Sequence, residues 1–258
     1  MIDGNRAVLS GVKVMLGPLI TEPGSTILNL DDAKSQHILM VASLTERTML
    51  LRALWYQLVR QNRPNALRFM VIDPESVLPI SVQNSAHLLC RPVQRCEDQT
   101  DDLLQLEIRH ALQTVAREIQ QRRLRSSNYP HLVVVITNIT PLLKRPGLLS
   151  LLNHIIEQGR EVSVHVVGGT SDITHFTLKH PLIQNNFKAR LVGQMPDSAT
   201  SDLACGAPDF FCEWGMGDGD ITYTLTHQRF QCGIVSDGEL KFLPRAIGLP
   251  SIWNMGAS

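Results

Sequence analysis

The amino-acid sequence predicts an α/β domain in which a mostly parallel sheet carries helices on both faces. Three observations predict it. Short apolar, β-branched runs recur along the chain: HILMVA (37–42), LRFMVID (67–73), LVVVIT (132–137) and VSVHVVGG (162–169). Helix-like segments separate these runs, which is the order that builds βαβ units. The chain has 258 residues, 43% hydrophobic and 19% charged, enough to bury one substantial core beneath an ordinary surface.

Taken in order, TILNL (26–30) reads as a strand leading into the HILMVA strand at 37–42. A polar turn, SLTERT (43–48), follows, and a helix is predicted from Thr48 to Arg63, where Pro64 stops it. Its apolar residues Leu50, Leu51, Leu54, Leu58 and Val59 recur at helical spacing. LRFMVID (67–73) has the composition of a buried strand. Asp101 is a candidate N-cap for a long helix to about Arg125, with Leu104, Ile108, Leu112, Val115 and Ile119 on one face. LVVVIT (132–137) is the most apolar strand, which places it centrally. Leu148 to Glu157 is helical, with Gly159 as the C′ residue. A strand at 162–169, a helical turn near 180–186 and a strand ARLVGQM (189–195) follow. ITYTL (221–225) and QCGIV (231–235) read as an antiparallel hairpin joined by THQRF. With no repeat, low-complexity tract or linker, residues 1–258 are read as one domain, 1–16 and 246–258 being flexible or peripheral.

Composition narrows the partners. Twenty-four basic residues balance 24 acidic ones, so the global basic excess common in nucleic-acid binders is missing, although a local basic groove remains compatible. No uncharged apolar run approaches the ~18–20 residues of a membrane helix. The start, MIDGNRAVLSG, lacks the apolar region of a signal peptide, so the expected location is cytoplasmic. Five cysteines, an odd number with no C-x-x-C pair, suggest reduced thiols rather than a disulfide framework or a zinc site. His165, His175 and His180 have no ligand-spaced carboxylate or cysteine beside them, so no metal site is expected.

In sheets of this type ligands sit beyond the carboxyl ends of the strands. A phosphate-binding turn there would read G-x-x-x-x-G-K-S/T, glycines shaping an anion nest and the lysine reaching the phosphates. SLTERT contains no glycine, Glu46 places a negative charge where phosphate would lie, and only Thr48 suits its role. Arg47 keeps a cation, but a guanidinium fork is not a compact ammonium. At the end of the 132–137 strand a hydrolase needs an acidic pair, for magnesium and for the attacking water. Thr137 and Asn138 stand there, and neither is a general base near neutral pH.

With these segments in order, the chain from about Gly11 to Leu240 resembles the FtsK/SpoIIIE motor domain. GPLITEPGSTILNLDDAKSQHILMVAS (17–43) is similar to the family's lead-in and first strand, and SLTERTMLLRALWYQLV to its phosphate loop and helix, one residue short. FMVIDPESV (69–77) resembles a strand ending I-D-P-K, with Glu75 in place of the lysine. Gly168 to Asp172 keep none of the family's Gln-Arg-Pro, and Gln194 and Asp202 stand where it has arginines. GDGDITYTL and QCGIVSDGEL resemble the closing hairpin, with Asp218 and Asp220 in its entry turn.

The resemblance implies a RecA/FtsK-like P-loop NTPase three-layer sandwich with mostly parallel sheet and a C-terminal antiparallel hairpin. It also implies assembly in a DNA-translocation or secretion motor. The vestigial nucleotide positions are Ser43, Thr45, Arg47, Thr48, Thr137 and Asn138, with no catalytic residue assigned. No cofactor is expected, ATP and magnesium entering only if the altered site still holds them. Three readings stay open. One is a pseudo-ATPase whose partner is a second copy or an active motor homologue. Another is a DNA-binding component, using Arg122, Arg123 and Arg125, or Lys144 and Arg145. The last retains nucleotide without turnover, on Arg47 and Thr48 at a helix N-terminus.

Overall fold

The computed structural model describes residues 12–20, 23–124, 129–210, 212, 217, 219–244 and 249. In chain order the elements begin with β1 (Lys13–Pro18), β2 (Ser25–Asn29), β3 (His37–Val41), α1 (Leu44–Gln61), β4 (Leu67–Asp73), α2 (Ile80–Gln83) and β5 (Val93–Gln94). There follow α3 (Asp101–Leu124), β6 (His131–Ile136), α4 (Thr140–Leu143), α5 (Pro146–Gly159), β7 (Val164–Thr170), α6 (His175–Leu178) and α7 (Pro181–Asn186). The last are β8 (Ala189–Val192), α8 (Ser198–Cys205), β9 (Asp220–Tyr223), β10 (Gln228–Gln231) and α9 (Asp237–Lys241).

Eight strands form the main sheet in the order β10-β9-β8-β3-β7-β6-β4-β5. Every pairing from β8 across to β5 is parallel, and β9 and β10 add an antiparallel edge. This is the predicted α/β three-layer architecture with its terminal hairpin. The register sets Val41 beside Thr170 and Val192, so the ends of the central strands lie level. β3 and β7 occupy the centre. β6, expected there, is interior but one place over, flanked by β7 and β4.

Strand alternation splits the core into two layers. In β3, Leu39 and Val41 face one layer with α3 and α5, while Ile38 and Met40 face the other with α1. All five side chains are buried, hence a run with no polar alternation. The α1 side is completed by an antiparallel pair of β1 and β2, separate from the main sheet, which contributes Val14, Leu16 and Leu28. The strand expected at 26–30 is therefore real but pairs backwards, and Lys13–Leu16 of the segment read as peripheral belong to β1. This ribbon lies over the sheet edge: Leu19 bridges Phe230 of β10, and Ile20 N–H donates to the Arg229 carbonyl. A Cβ on Gly17 would lie 2.0 Å from the Gln231 carbonyl oxygen, so only glycine permits this approach.

Several boundaries differ from those read in the sequence. α1 starts at Leu44, because Ser43 and Glu46 form a reciprocal capping box that begins the helix four residues before Thr48. Thr100, not Asp101, bonds the first turn of α3. Gly159 stays helical with φ −71°, and the left-handed residue is Ser163 at φ 57° after a tight turn. The hairpin's second strand is Gln228–Gln231, three residues earlier than expected, because the chain reverses at 224–227 with His227 at φ 55°.

Candidate functional site

The level carboxyl ends of β3, β4, β6, β7 and β8 converge where a doubly covered parallel sheet binds its ligand. Between the last residue of β3 and the first of α1 stand only Ala42 and Ser43, too short a connection for a phosphate-cradling loop. The Ser43 side chain accepts from Glu46 N–H at 3.3 Å. In return Glu46 Oε2 accepts from Ser43 N–H at 2.9 Å, and Oε1 accepts from Gln194 N–H beyond β8 at 3.1 Å. A Cβ on Gly193 would lie 2.6 Å from both carboxylate oxygens, so that glycine lets Glu46 rest against the β8 backbone. The positive end of α1 thus already holds an anion, supplied by the chain itself. Thr48 Oγ donates to the Leu44 carbonyl at 2.7 Å, and Thr45 is exposed.

Arg47 turns the other way and fills the interior, its side chain only 1% exposed. Its guanidinium donates to the Thr137 carbonyl at the end of β6 and pairs with Glu75 Oε2 at 3.2 Å. A Cβ on Gly169 of β7 would meet the Thr137 carbonyl oxygen at 2.5 Å and Arg47 Cδ at 3.2 Å, so the missing side chain is the space Arg47 uses. Glu75 is held on its other oxygen by Asn138 Nδ2 at 2.6 Å, and Asn138 Oδ1 accepts from Thr140 N–H at 3.1 Å. Thr137 Oγ donates to Asp73 Oδ1 at 2.8 Å. Asp73, fully buried, also accepts from Val77 N–H, Leu78 N–H and Gln94 Nε2, each at 2.9 Å. Three carboxylates therefore stand at this sheet edge, and each is committed to internal donors.

Chemically the arrangement is a closed polar network. Four of the residues singled out at the two strand ends, Ser43, Arg47, Thr137 and Asn138, are brought into it. Its other anchors are Asp73, Glu75, Gln94 and Gly193. Their signal in the sequence was thin: Glu75 stood out where a lysine was expected, while Gly193 and Gln94 carry no local motif.

A second surface lies beside this edge. Asn138, Thr140, Lys144, Arg145, Ser171 and Asp172 line an open depression of about 540 Å³, and an adjoining one of about 460 Å³ adds Arg109 from α3. Burial raises the Asp172 pKa, but hydrogen bonds from Thr174 and Thr177, with Lys144 nearby, outweigh it and hold the carboxyl below its usual value. The arginines at the end of α3 sit at the opposite edge of the sheet. Arg122 is buried, bonded to Glu118 at 2.8 Å and the Val162 carbonyl at 2.9 Å, while Arg123 pairs with Glu161 at 2.8 Å. Arg125 lies outside the described residues.

No family model and no curated protein matches the chain. Solved structures do. The cytoplasmic domain of the type VII secretion ATPase EccC of Thermomonospora curvata matches with TM-score 0.73 and 17% identity, over 94% of this chain and 32% of that one. EssC ATPases 2 and 3 of Geobacillus thermodenitrificans match with TM-score 0.70 and 13% identity, over 89% and 46%. The pCW3 conjugation coupling protein TcpA, solved as a monomer with ATPγS, gives TM-score 0.65 and 14% identity, over 90% and 68%. At these identities the likeness establishes the fold, that of FtsK/SpoIIIE-type P-loop ATPases. The chain spans about a third of the length of the EccC structure. Among the described residues no helix is long and apolar enough to cross a membrane.

Proposed function

We propose that this chain is a catalytically degenerate FtsK/SpoIIIE-like domain serving as a binding, scaffolding or regulatory part of a secretion- or DNA-translocation-type motor. The observation that carries this reading is the Glu46 carboxylate lodged at the N-terminus of α1, with Arg47 filling the space behind it. A phosphate brought within about 4 Å of that carboxylate meets a repulsion of about 4 kcal/mol at the effective dielectric near a protein surface. That repulsion alone corresponds to about a thousandfold in affinity. Expelling Glu46 would leave its two backbone donors for the phosphate, but the short turn supplies no further nest. Asp73 and Glu75, the acids nearest the end of β6, are held by Thr137, Gln94, Arg47 and Asn138 rather than free for magnesium.

A protein partner suits a fold kept without its pocket. One structural neighbour, Thermomonospora curvata EccC ATPases 2 and 3, was solved with a signal sequence peptide. The test is calorimetric titration with magnesium and a non-hydrolysable ATP analogue, together with ATP turnover against a Thr48→Ala control. No saturable heat and equal turnover are expected. One-to-one binding that Thr48→Ala abolishes would overturn the proposal.

A second reading, contact with nucleic acid, draws on Arg109, Lys144 and Arg145 around the paired depressions, none of them ion-paired to a described carboxylate. Lys144→Glu/Arg145→Glu should then lower duplex retention at least tenfold, with a shallower salt dependence. Equal retention by the variant removes this reading.

A further inference from the structure

Cys205 closes α8 and Cys212 lies ahead of β9, and their sulfurs are 3.5 Å apart in the interior. Both partners are held in place. Cys212 N–H donates to Ser201 Oγ at 2.9 Å, and its carbonyl accepts from Met195 N–H at 3.1 Å. Cys205 is fixed by the helix itself, which terminates on Gly206 in the left-handed region at φ 76°. A disulfide needs its sulfurs at about 2.05 Å, so the two stand within about 1.5 Å of bonding distance.

The surroundings favour a thiolate. Arg190 is buried, and its guanidinium donates to the carbonyls of Phe187, Leu203 and Ala204, with no described carboxylate as counter-ion. Burial pulls the Arg190 pKa down, and its positive charge acts on the Cys205 end of the pair, where it opposes the rise of that thiol. The hydrogen bond from Cys205 lowers the Cys212 thiol despite its burial, with Thr222, Ser201 and the charge of Arg229 adding. The same bond, with burial, raises the Cys205 thiol, so one proton is shared between the pair. Thr222 Oγ is buried and has no hydrogen-bond partner among the described residues, which leaves its proton available to that sulfur. The remaining cysteines differ. Burial pushes Cys90 and Cys232 up to about 12, and Cys96 is exposed.

We propose that Cys205 and Cys212 are a redox-active dithiol which peroxide converts to an intramolecular disulfide, tying the end of α8 to Cys212. The Cys212 thiolate attacks one oxygen of hydrogen peroxide, the O–O bond breaks, and the departing hydroxide is protonated to water. The sulfenic acid so formed is attacked by the Cys205 sulfur, which gives up its proton. The S–O bond breaks and hydroxide leaves with that proton as a second water. Two thiols and one peroxide give one disulfide and two waters. A thiol reductant reverses the step by exchange.

The test uses the whole chain treated with hydrogen peroxide, quenched, alkylated under denaturing conditions and mapped without reduction. A linked peptide containing Cys205 and Cys212 should accumulate at least about tenfold faster than Cys90 or Cys232 lose their alkylation, and dithiothreitol should remove it. Cys205→Ser should abolish the link and leave Cys212 reactive towards dimedone. The wild-type map decides the matter even if that variant misfolds. If both cysteines remain fully alkylatable after Cys96 has been oxidised, or if Cys212 is found joined to Cys96 of another molecule, the dithiol does not exist.

Discussion

Removing the charge of Glu75 isolates the ion pair at the centre of the polar network. Breaking a fully buried pair from one side costs about 3–5 kcal/mol, because the remaining charge stays desolvated, whereas an exposed pair is worth about 0–1 kcal/mol. Here Arg47 is 1% exposed and Glu75 30%, so the stranded charge is the buried one while its lost partner was partly solvated. Glu75→Ala should therefore cost about 2–3 kcal/mol, a sizeable share of the ~5–15 kcal/mol that holds an ordinary domain. Arg47 Nε has no partner among the described residues, so the arginine is imperfectly satisfied even now. Replacing both charges, in Arg47→Met/Glu75→Gln, should then restore stability to within about 1 kcal/mol of the parent. Urea unfolding followed by tryptophan fluorescence reports this, since Trp55 is buried and stacked on Phe69 at 4.2 Å between centroids. A Glu75→Ala cost below about 0.5 kcal/mol, or a double variant costing the sum of its singles, would refute the account.

Gly193→Ala should displace the Glu46 carboxylate and cost about 1–2 kcal/mol. In a Glu46→Ala background the same change should add nothing further, and an additive urea-midpoint shift would show that the close contact is immaterial. Stability should also fall on mild acidification. His37 is held down to about 4 by burial with Arg160 adding, and His165 to about 3 by burial with His131, His37 and Arg122 adding. Both folded values lie below the unfolded value, so between them the unfolded chain binds more protons and stability rises with pH. At pH 5 each neutral histidine should cost about 2 kcal/mol relative to pH 7.5. Urea midpoints measured at both pH values check this, and equal midpoints would contradict it.

The fold was legible because its strongest signals are local. β4 matches LRFMVID residue for residue, since a strand buried on both faces shows as a continuous apolar run, here Phe69–Met70–Val71–Ile72. The start of α1 carries a local signal too, since Ser43 and Glu46 have capping-box spacing. The Arg47–Glu75 pair was not legible. Its partners are 28 residues apart in sequence, and their meeting depends on the order β3-β7-β6-β4, which no local pattern encodes. A basic residue in a turn reads as solvated until the Gly169 backbone is seen to leave room for it. Cys205 and Cys212 were obscured in the same way, since six intervening residues match no redox motif and the helix end, with the Ser201 and Met195 contacts, brings them together.

The ribbon laid over β10 decides how this domain can be approached. Unpaired strand edges are where other polypeptides add themselves as a further strand, by design or by aggregation. One margin of the sheet is occupied by Leu19 and Ile20, and the other ends in β5, two residues long. At these two margins the main sheet offers little free backbone to an added strand, so a partner meeting the domain there must recognise side chains rather than borrow backbone hydrogen bonds that would accept almost any extended peptide.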